Sequence, residues 1–270
     1  MQGASWLCWL GSLVVLAPCP LLAQQSNGGA PSRTYEATPQ RPTFTANTTT
    51  SVPGTVEMEF GATVSDKFLT LPTTLKYTPE VPQGLFHQAE FSVSFDALSN
   101  HSAGSGRVTQ CGNSLGIVMR RLVYLGDHIS VAVAPRILVL LRGDHGLRIG
   151  ARAIAAYDAG LNSTVVNFTW TAATSSSPTN PEHEYDIALD YSRTLGKSTM
   201  FSRWSVFAGV LSEQALHRDA AVSLGQGMSY RFRPGLVGDL AIRETGLGSG
   251  WSGYEALLGL TVNLGRVERW

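Results

Sequence analysis

The stretch LRIGARAIAAYDAGLNSTVVNFTW, residues 147–170, decides the fold class. Its first half alternates with period two. Leu147, Ile149, Ala151, Ala153, Ala155 and Tyr157 fall on one face, and Arg148, Gly150 and Arg152 on the other. Its second half sets Val166, Phe168 and Trp170 against Asn167 and Thr169. Such alternation marks a β-strand with unlike faces. Gly160-Leu161 alone suffices to turn one strand into the next. Strands of globular proteins usually run about 5–6 residues, whereas a strand tilted across a membrane needs about 9–11. A soluble sandwich would also alternate, so length decides more than alternation does.

The same pattern extends in both directions. Val56, Met58, Phe60 and Ala62 oppose Glu57, Glu59 and Gly61, and Phe91, Val93 and Phe95 oppose Ser92, Ser94 and Asp96. Ile129, Val131, Val133, Ile137 and Val139 oppose His128, Ser130, Ala132, Ala134 and Arg136. Further strands centre on Tyr185–Tyr191, Trp204–Val210, Val222–Tyr230, Leu240–Ile242 and Leu258–Leu264. Adding strands near Thr73–Thr78 and Ser114–Tyr124 makes about twelve. In hydrocarbon each unpaired backbone group costs several kcal/mol, so the sheet must close. The expectation is all-β: a transmembrane antiparallel up-and-down β-barrel of residues 56–270. Links should alternate short and long between its ends. Most do, but Arg142–His145 is short and Pro79–Gln88 long where the rule asks the reverse. Tyr77, Tyr157, Tyr191 and Tyr230 fall at one set of strand ends, and Phe95, Trp170, Tyr185 and Tyr254 at the other, as interfacial girdles require.

Composition agrees. Lys+Arg and Asp+Glu number 20 each, giving zero formal charge, which argues against a nucleic-acid partner. Charged residues are only 15%, against about 25% in an average soluble domain. No run after residue 25 is long and apolar enough for a membrane helix. Residues 6–17, WLCWLGSLVVLA, suit the centre of a signal peptide, with cleavage after Ala23, so residues 1–23 are expected to be removed on export. Residues 24–55 are rich in Ser, Thr, Pro, Gly and Asn and read as a disordered lead-in, too poor in apolar surface to order itself. Whether it fills the barrel or hangs outside is left open by the sequence. Cys8 and Cys19 lie in the leader, which leaves Cys111 alone without an intrachain partner.

Leu71-Pro72-Thr73-Thr74-Leu75-Lys76-Tyr77, then Phe91–Phe95, then Ser130-Val131-Ala132-Val133-Ala134-Pro135 carry a resemblance. The chain resembles, over residues 56–265, the bacterial outer-membrane transporter family named after the meta-pathway of phenol degradation. That resemblance implies a barrel of roughly twelve strands and uptake of small compounds, aromatic or hydrophobic ones among them. It transfers no catalytic or binding residue. One departure is that Arg266 and Glu268 share the parity of Val262, Leu264 and the terminal Trp270, where a closing strand is usually apolar.

Polar residues opposite the apolar faces are the candidate lumen lining: Glu57, Glu59, Lys76, Asp96, Arg120, Arg136, Arg148, Arg152, Asp186, Asp190, Arg203, Asp239 and Arg243. Opposed charges there either bias ion passage through a channel or pair across a filled barrel. Arg120 and Arg121 are adjacent, so one must face outward, where it can snorkel to headgroups. Glycines on the polar face (Gly150, Gly209, Gly225, Gly227, Gly259) suit a crowded interior. His128 and Ser130 make a candidate base–nucleophile pair, resembling outer-membrane lipid hydrolases. Theirs faces lipid, whereas this pair should face the lumen. Catalytic, metal and cofactor sites are therefore not expected. The expectation is a non-enzymatic channel or transporter in a Gram-negative outer membrane. Its partners would be membrane lipid, a small solute and the barrel-assembly machinery. A plugged structural or adhesive barrel and a lipid hydrolase are the alternatives.

Overall fold

The computed structural model describes residues 35–267, apart from 41–42, 67, 82, 85, 104–105, 111–113, 142–145, 176–180, 197–200, 216–218 and 248–252. The expected leader at 1–23, residues 24–34 of the expected lead-in, Cys111, the 142–145 link, Glu268 and Trp270 lie outside the described residues.

The strands are β1 (Thr55–Ser65), β2 (Phe68–Tyr77), β3 (Ala89–Ala103), β4 (Gly106–Gln110), β5 (Ser114–Leu125), β6 (Ile129–Leu140), β7 (Gly146–Ala159), β8 (Asn162–Ala173), β9 (His183–Thr194), β10 (Trp204–Ala215), β11 (Ala221–Arg233), β12 (Leu236–Leu247) and β13 (Gly253–Arg266). All neighbours are antiparallel, and the sheet closes because β1 pairs with both β2 and β13 while β2 pairs with β3. β4 pairs only with the far half of β3. The wall is thus a closed twelve-stranded up-and-down barrel with one short extra strand. That extra strand departs from the sequence reading, which left Leu98–Asn113 as a loop. Its segment, Gly106-Arg107-Val108-Thr109-Gln110, has one apolar residue and so no readable alternation.

The exterior is apolar and the interior polar. On β9 Ile187 is 55% exposed and Leu189 41%, while Ala188 between them is 3% exposed. Leu240, Ile242, Leu258 and Leu260 continue this outward band. A contiguous band of this kind is solvated by hydrocarbon rather than water. Aromatic rings mark its margins. Trp204, Tyr230 and Phe232 cluster at one end, with centroids 4.6 and 4.9 Å apart. Trp170 stacks on His183 at the other.

Thr55 pairs opposite Arg266, so the barrel begins and ends at the same rim. At that rim Gly160-Leu161 and Pro234-Gly235 are two-residue turns. The 78–88 link is long at this rim, the exception that the sequence reading names, and only residues 66–67 join β1 to β2 at the opposite one, a further exception. Prolines sit where ladders break. Pro72 lies at a register shift between β2 and β3. The β5–β6 ladder passes from Val118–Arg136 to Arg121–Val133 across Pro135, which has no N–H to donate.

The described part of the expected lead-in, residues 35–54, does not behave as free chain. It has almost no regular structure, yet it hydrogen-bonds to the inner wall. Composition counted only the apolar surface the segment itself could bury. The ordering groups belong to the wall.

Candidate functional site

The interior is built around buried charges that hold this segment. Lys76 on β2 places its Nζ 2.7 Å from Glu57 and 2.5 Å from Glu59, both on the adjacent β1. All three are at most 3% exposed. The carboxylates also capture backbone: Thr38 N donates to Glu57 at 2.7 Å and Gln40 N to Glu59 at 2.7 Å, while Lys76 donates to Thr38 O at 2.8 Å. On the next strands Arg120 pairs with Glu90 at 2.7 Å and donates to Asn47 O at 2.6 Å. Glu90 also accepts from Ser51 N and Ser51 Oγ at 2.8 and 2.7 Å. Unpaired backbone N–H and C=O groups cannot be buried cheaply. Here ionised wall side chains satisfy those of an irregular segment, through charge-assisted bonds that are the stronger kind.

Across the lumen the anchoring continues. Thr45 N donates to Asp190 on β9 at 2.5 Å, and Thr48 Oγ1 shares a 2.7 Å hydrogen bond with Ser130 Oγ on β6. The Asn167 amide on β8 accepts from Ala46 N at 2.6 Å and donates to Ala46 O at 3.2 Å, in the orientation that satisfies both. Phe44 lies under the Arg243 guanidinium, 4.5 Å from ring centroid to carbon. It fits because Gly225 has no side chain: a Cβ there would stand 2.8 Å from the ring. At Gly209 a Cβ would collide with the Asp190 carboxylate, and at Gly259 with that of Asp239.

Two cavities share this segment as a wall. One, of about 480 Å³, opens among Asp158, Ser192, Arg203, Ser205 and Arg231 near the terminal rim. The other, of about 250 Å³, lies among Ser92, Ser94, Val118, Arg120, Arg136 and Arg152.

The expected lining residues are distributed unevenly. Glu57, Glu59, Lys76, Arg120, Asp190 and Arg243 meet the segment directly. Arg136 and Arg152 line the smaller cavity, and Arg148 pairs with Glu184 and Thr171 beyond it. Asp186 shares Thr169 as a register neighbour with Arg152, and Asp239 is buried on β12. Asp96 continues the face of Ser92 and Ser94 on β3. Arg203 lines the larger cavity from the end of the short 3₁₀ turn Phe201–Arg203, just before β10, and is exposed. The Phe201–Arg203 turn follows a link longer than the Gly196–Ser198 turn the sequence suggests, so Arg203 falls before the ladder begins.

Among the described residues Glu57 and Glu59 bridge to Lys76, and Arg120 bridges to Glu90. Sequence reasoning missed Glu90 and Glu184. Period two would have found both, since Glu90 precedes Phe91 and Glu184 precedes Tyr185. Arg121 takes the outward register, opposite Val133. Arg266 ends β13 and bridges to Glu80.

His128 and Ser130 do not form a pair. His128 is exposed at the terminal rim, with Nδ1 2.9 Å from Asp158 O, while Ser130 is buried against Thr48. Glu184, Asp186 and Glu213 bring carboxylate oxygens within 4.8 Å of one another. Glu184, however, is engaged by Arg148.

No protein-family model matches the chain, and no curated protein does. Solved outer-membrane barrels share its fold. The COG4313 outer membrane channel from Pseudomonas putida F1 superimposes with a TM-score of 0.59 at 10% identity, covering 88% of this chain and 100% of that one. The KdgM porin gives 0.53 at 7%, covering 76% and 98%. The NanC porin gives 0.53 at 10%, covering 77% and 100%. At such identities the likeness is one of architecture.

Proposed function

We propose that the chain is an outer-membrane channel for small solutes, narrowed from inside by residues 35–54. The observation that carries this reading is a closed barrel, apolar outside and polar inside, whose lumen holds two cavities lined by charged and hydroxyl side chains. Export through a cleaved leader, a Gram-negative source and insertion by the barrel-assembly machinery through β13 belong to the same reading. So does a non-enzymatic role, which agrees with the separation of His128 from Ser130.

The passing solute is small, since the cavities measure about 480 and 250 Å³. Their lining favours polar or charged solutes. Aromatic or hydrophobic compounds, which the family resemblance implies, would find only short apolar patches such as Val118 with Ala134 and Val206 with Phe207.

The purified full chain in planar lipid bilayers tests the reading. Discrete single-channel currents are expected, and swelling of proteoliposomes in small polar solutes. A heat-modifiable, correctly folded barrel that passes neither current nor solute would leave the plugged structural barrel in its place.

A further inference from the structure

Arg136 and Arg152 stand diagonally on paired strands, because Ala134 faces Arg152 and Arg136 faces Gly150 across β6 and β7. Diagonal neighbours on one sheet face lie about 7–8 Å apart, within reach of long side chains. The residues between them are small, so nothing bulky separates the guanidinium groups. Both line the 250 Å³ cavity. Lys76 and Arg120 line it too, but Glu57, Glu59 and Glu90 already neutralise them. Among the described residues neither Arg136 nor Arg152 has a carboxylate within ion-pair distance. Arg152 commits only Nε, to Thr169 Oγ1 at 3.0 Å. Of the carboxylates near them, Glu184 is held by Arg148, and Asp186 faces both arginines only from beyond ion-pair distance, so it compensates them in part.

Two like charges set together in a partly desolvated wall are unfavourable without a counter-charge. Guanidinium forks match carboxylate geometry, and two of them converge on one such group. Beside them Val118, Ala134 and Ala46 supply an apolar surface. The cavity is smaller than the roughly 300 Å³ at which drug-sized sites begin, so only a short tail fits.

We propose that this cavity is a binding subsite for small organic monocarboxylates. Arg136 and Arg152 grip the carboxylate, and Val118, Ala134 and Ala46 cover the tail. The proposal rests on the channel reading and names the solute class that the channel would prefer.

Calorimetric titration of the full chain in detergent at low salt tests it, with butyrate, acetate, inorganic phosphate and 1-butanol as probes. Butyrate should bind, acetate about tenfold more weakly for its two missing methylenes, and 1-butanol not measurably. Arg136→Gln and Arg152→Gln should each weaken butyrate by about ten- to a hundredfold. Arg136→Lys and Arg152→Lys keep the charge and should lose less, and they keep the test decisive where a glutamine variant fails to fold. Butyrate affinity should also fall as salt rises. The proposal is overturned by absence of butyrate binding, by equal binding in all four variants, or by phosphate binding as tightly as butyrate. Bilayer currents separate the two claims. Currents without butyrate binding sink the subsite and leave the channel standing. Butyrate binding sensitive to both arginines, without currents, keeps the subsite and sinks the channel.

Discussion

Lys76 shows how far single residues govern the interior. Among the described residues it is the one cation bonded to both Glu57 and Glu59, and neither carboxylate is more than 3% exposed. Breaking a buried ion pair from one side leaves uncompensated charge and typically costs about 3–5 kcal/mol. Lys76→Met should therefore lower the urea midpoint of the folded barrel in lipid vesicles by an amount in that range. Glu57→Gln with Glu59→Gln and Lys76→Met together should recover much of the loss, since no lone charge then remains. Gly225 makes the complementary case of missing volume. A Cβ there would press on the Phe44 ring at 2.8 and 3.1 Å. Gly225→Val should displace Phe44 from Arg243 and raise single-channel conductance while heat-modifiable mobility is retained. Unchanged conductance would mean that Phe44 does not narrow the path. At this scale the sequence told which charges face inward, because side-chain period fixes the face. It did not tell which charges meet, because partners such as Lys76 with Glu57 depend on register between strands. Register was not written in either strand alone.

Strands were the most legible level. Every alternating run from Val56 to Leu264 is a strand of the closed sheet, and the length argument separated them from those of a sandwich. The reason is that one face meets hydrocarbon, so almost every second residue is constrained. Where that constraint lapses, reading failed: β4 has one apolar residue, and the link before β10 holds a 3₁₀ turn that no pattern announced. The same asymmetry sets the outcome of substitutions within a single strand. Ala153, at the middle of β7, is exposed outward, and the neighbouring Arg152 faces in. Ala153→Arg should cost about 2–4 kcal/mol, the usual range for a cation on the lipid face near the midplane. It should reduce folding yield into vesicles. Thr169→Ala, on the inward face of β8, removes one hydrogen bond that the Arg152 guanidinium donates and should cost about 1.5–3 kcal/mol. Thr169→Ser keeps that acceptor and should recover most of the loss; an equal loss in the serine variant would contradict the inward assignment.

The whole molecule adds what neither residue nor strand contains: a wall that orders a segment unable to order itself. Residues 35–54 carry Ser, Thr, Pro and Asn, and composition alone made them a lead-in. The wall meets them with Glu57, Glu59, Glu90, Arg120 and Asp190, none of which belongs to the segment. Each such charge-assisted bond is worth about 1.5–3 kcal/mol, so the wall supplies a substantial part of what ordering the segment costs. The main wall pairs, Lys76 with Glu57 and Glu59 and Arg120 with Glu90, would survive without the segment. Water entering the lumen would solvate Asp190 and the freed hydroxyls. Deleting residues 36–50 should therefore leave a folded, heat-modifiable barrel whose single-channel conductance is severalfold larger than that of the full chain. An equal conductance would show that ions already pass beside the segment. A barrel that fails to fold would show instead that the segment is its core, and that the lumen is filled for stability rather than narrowed for selection.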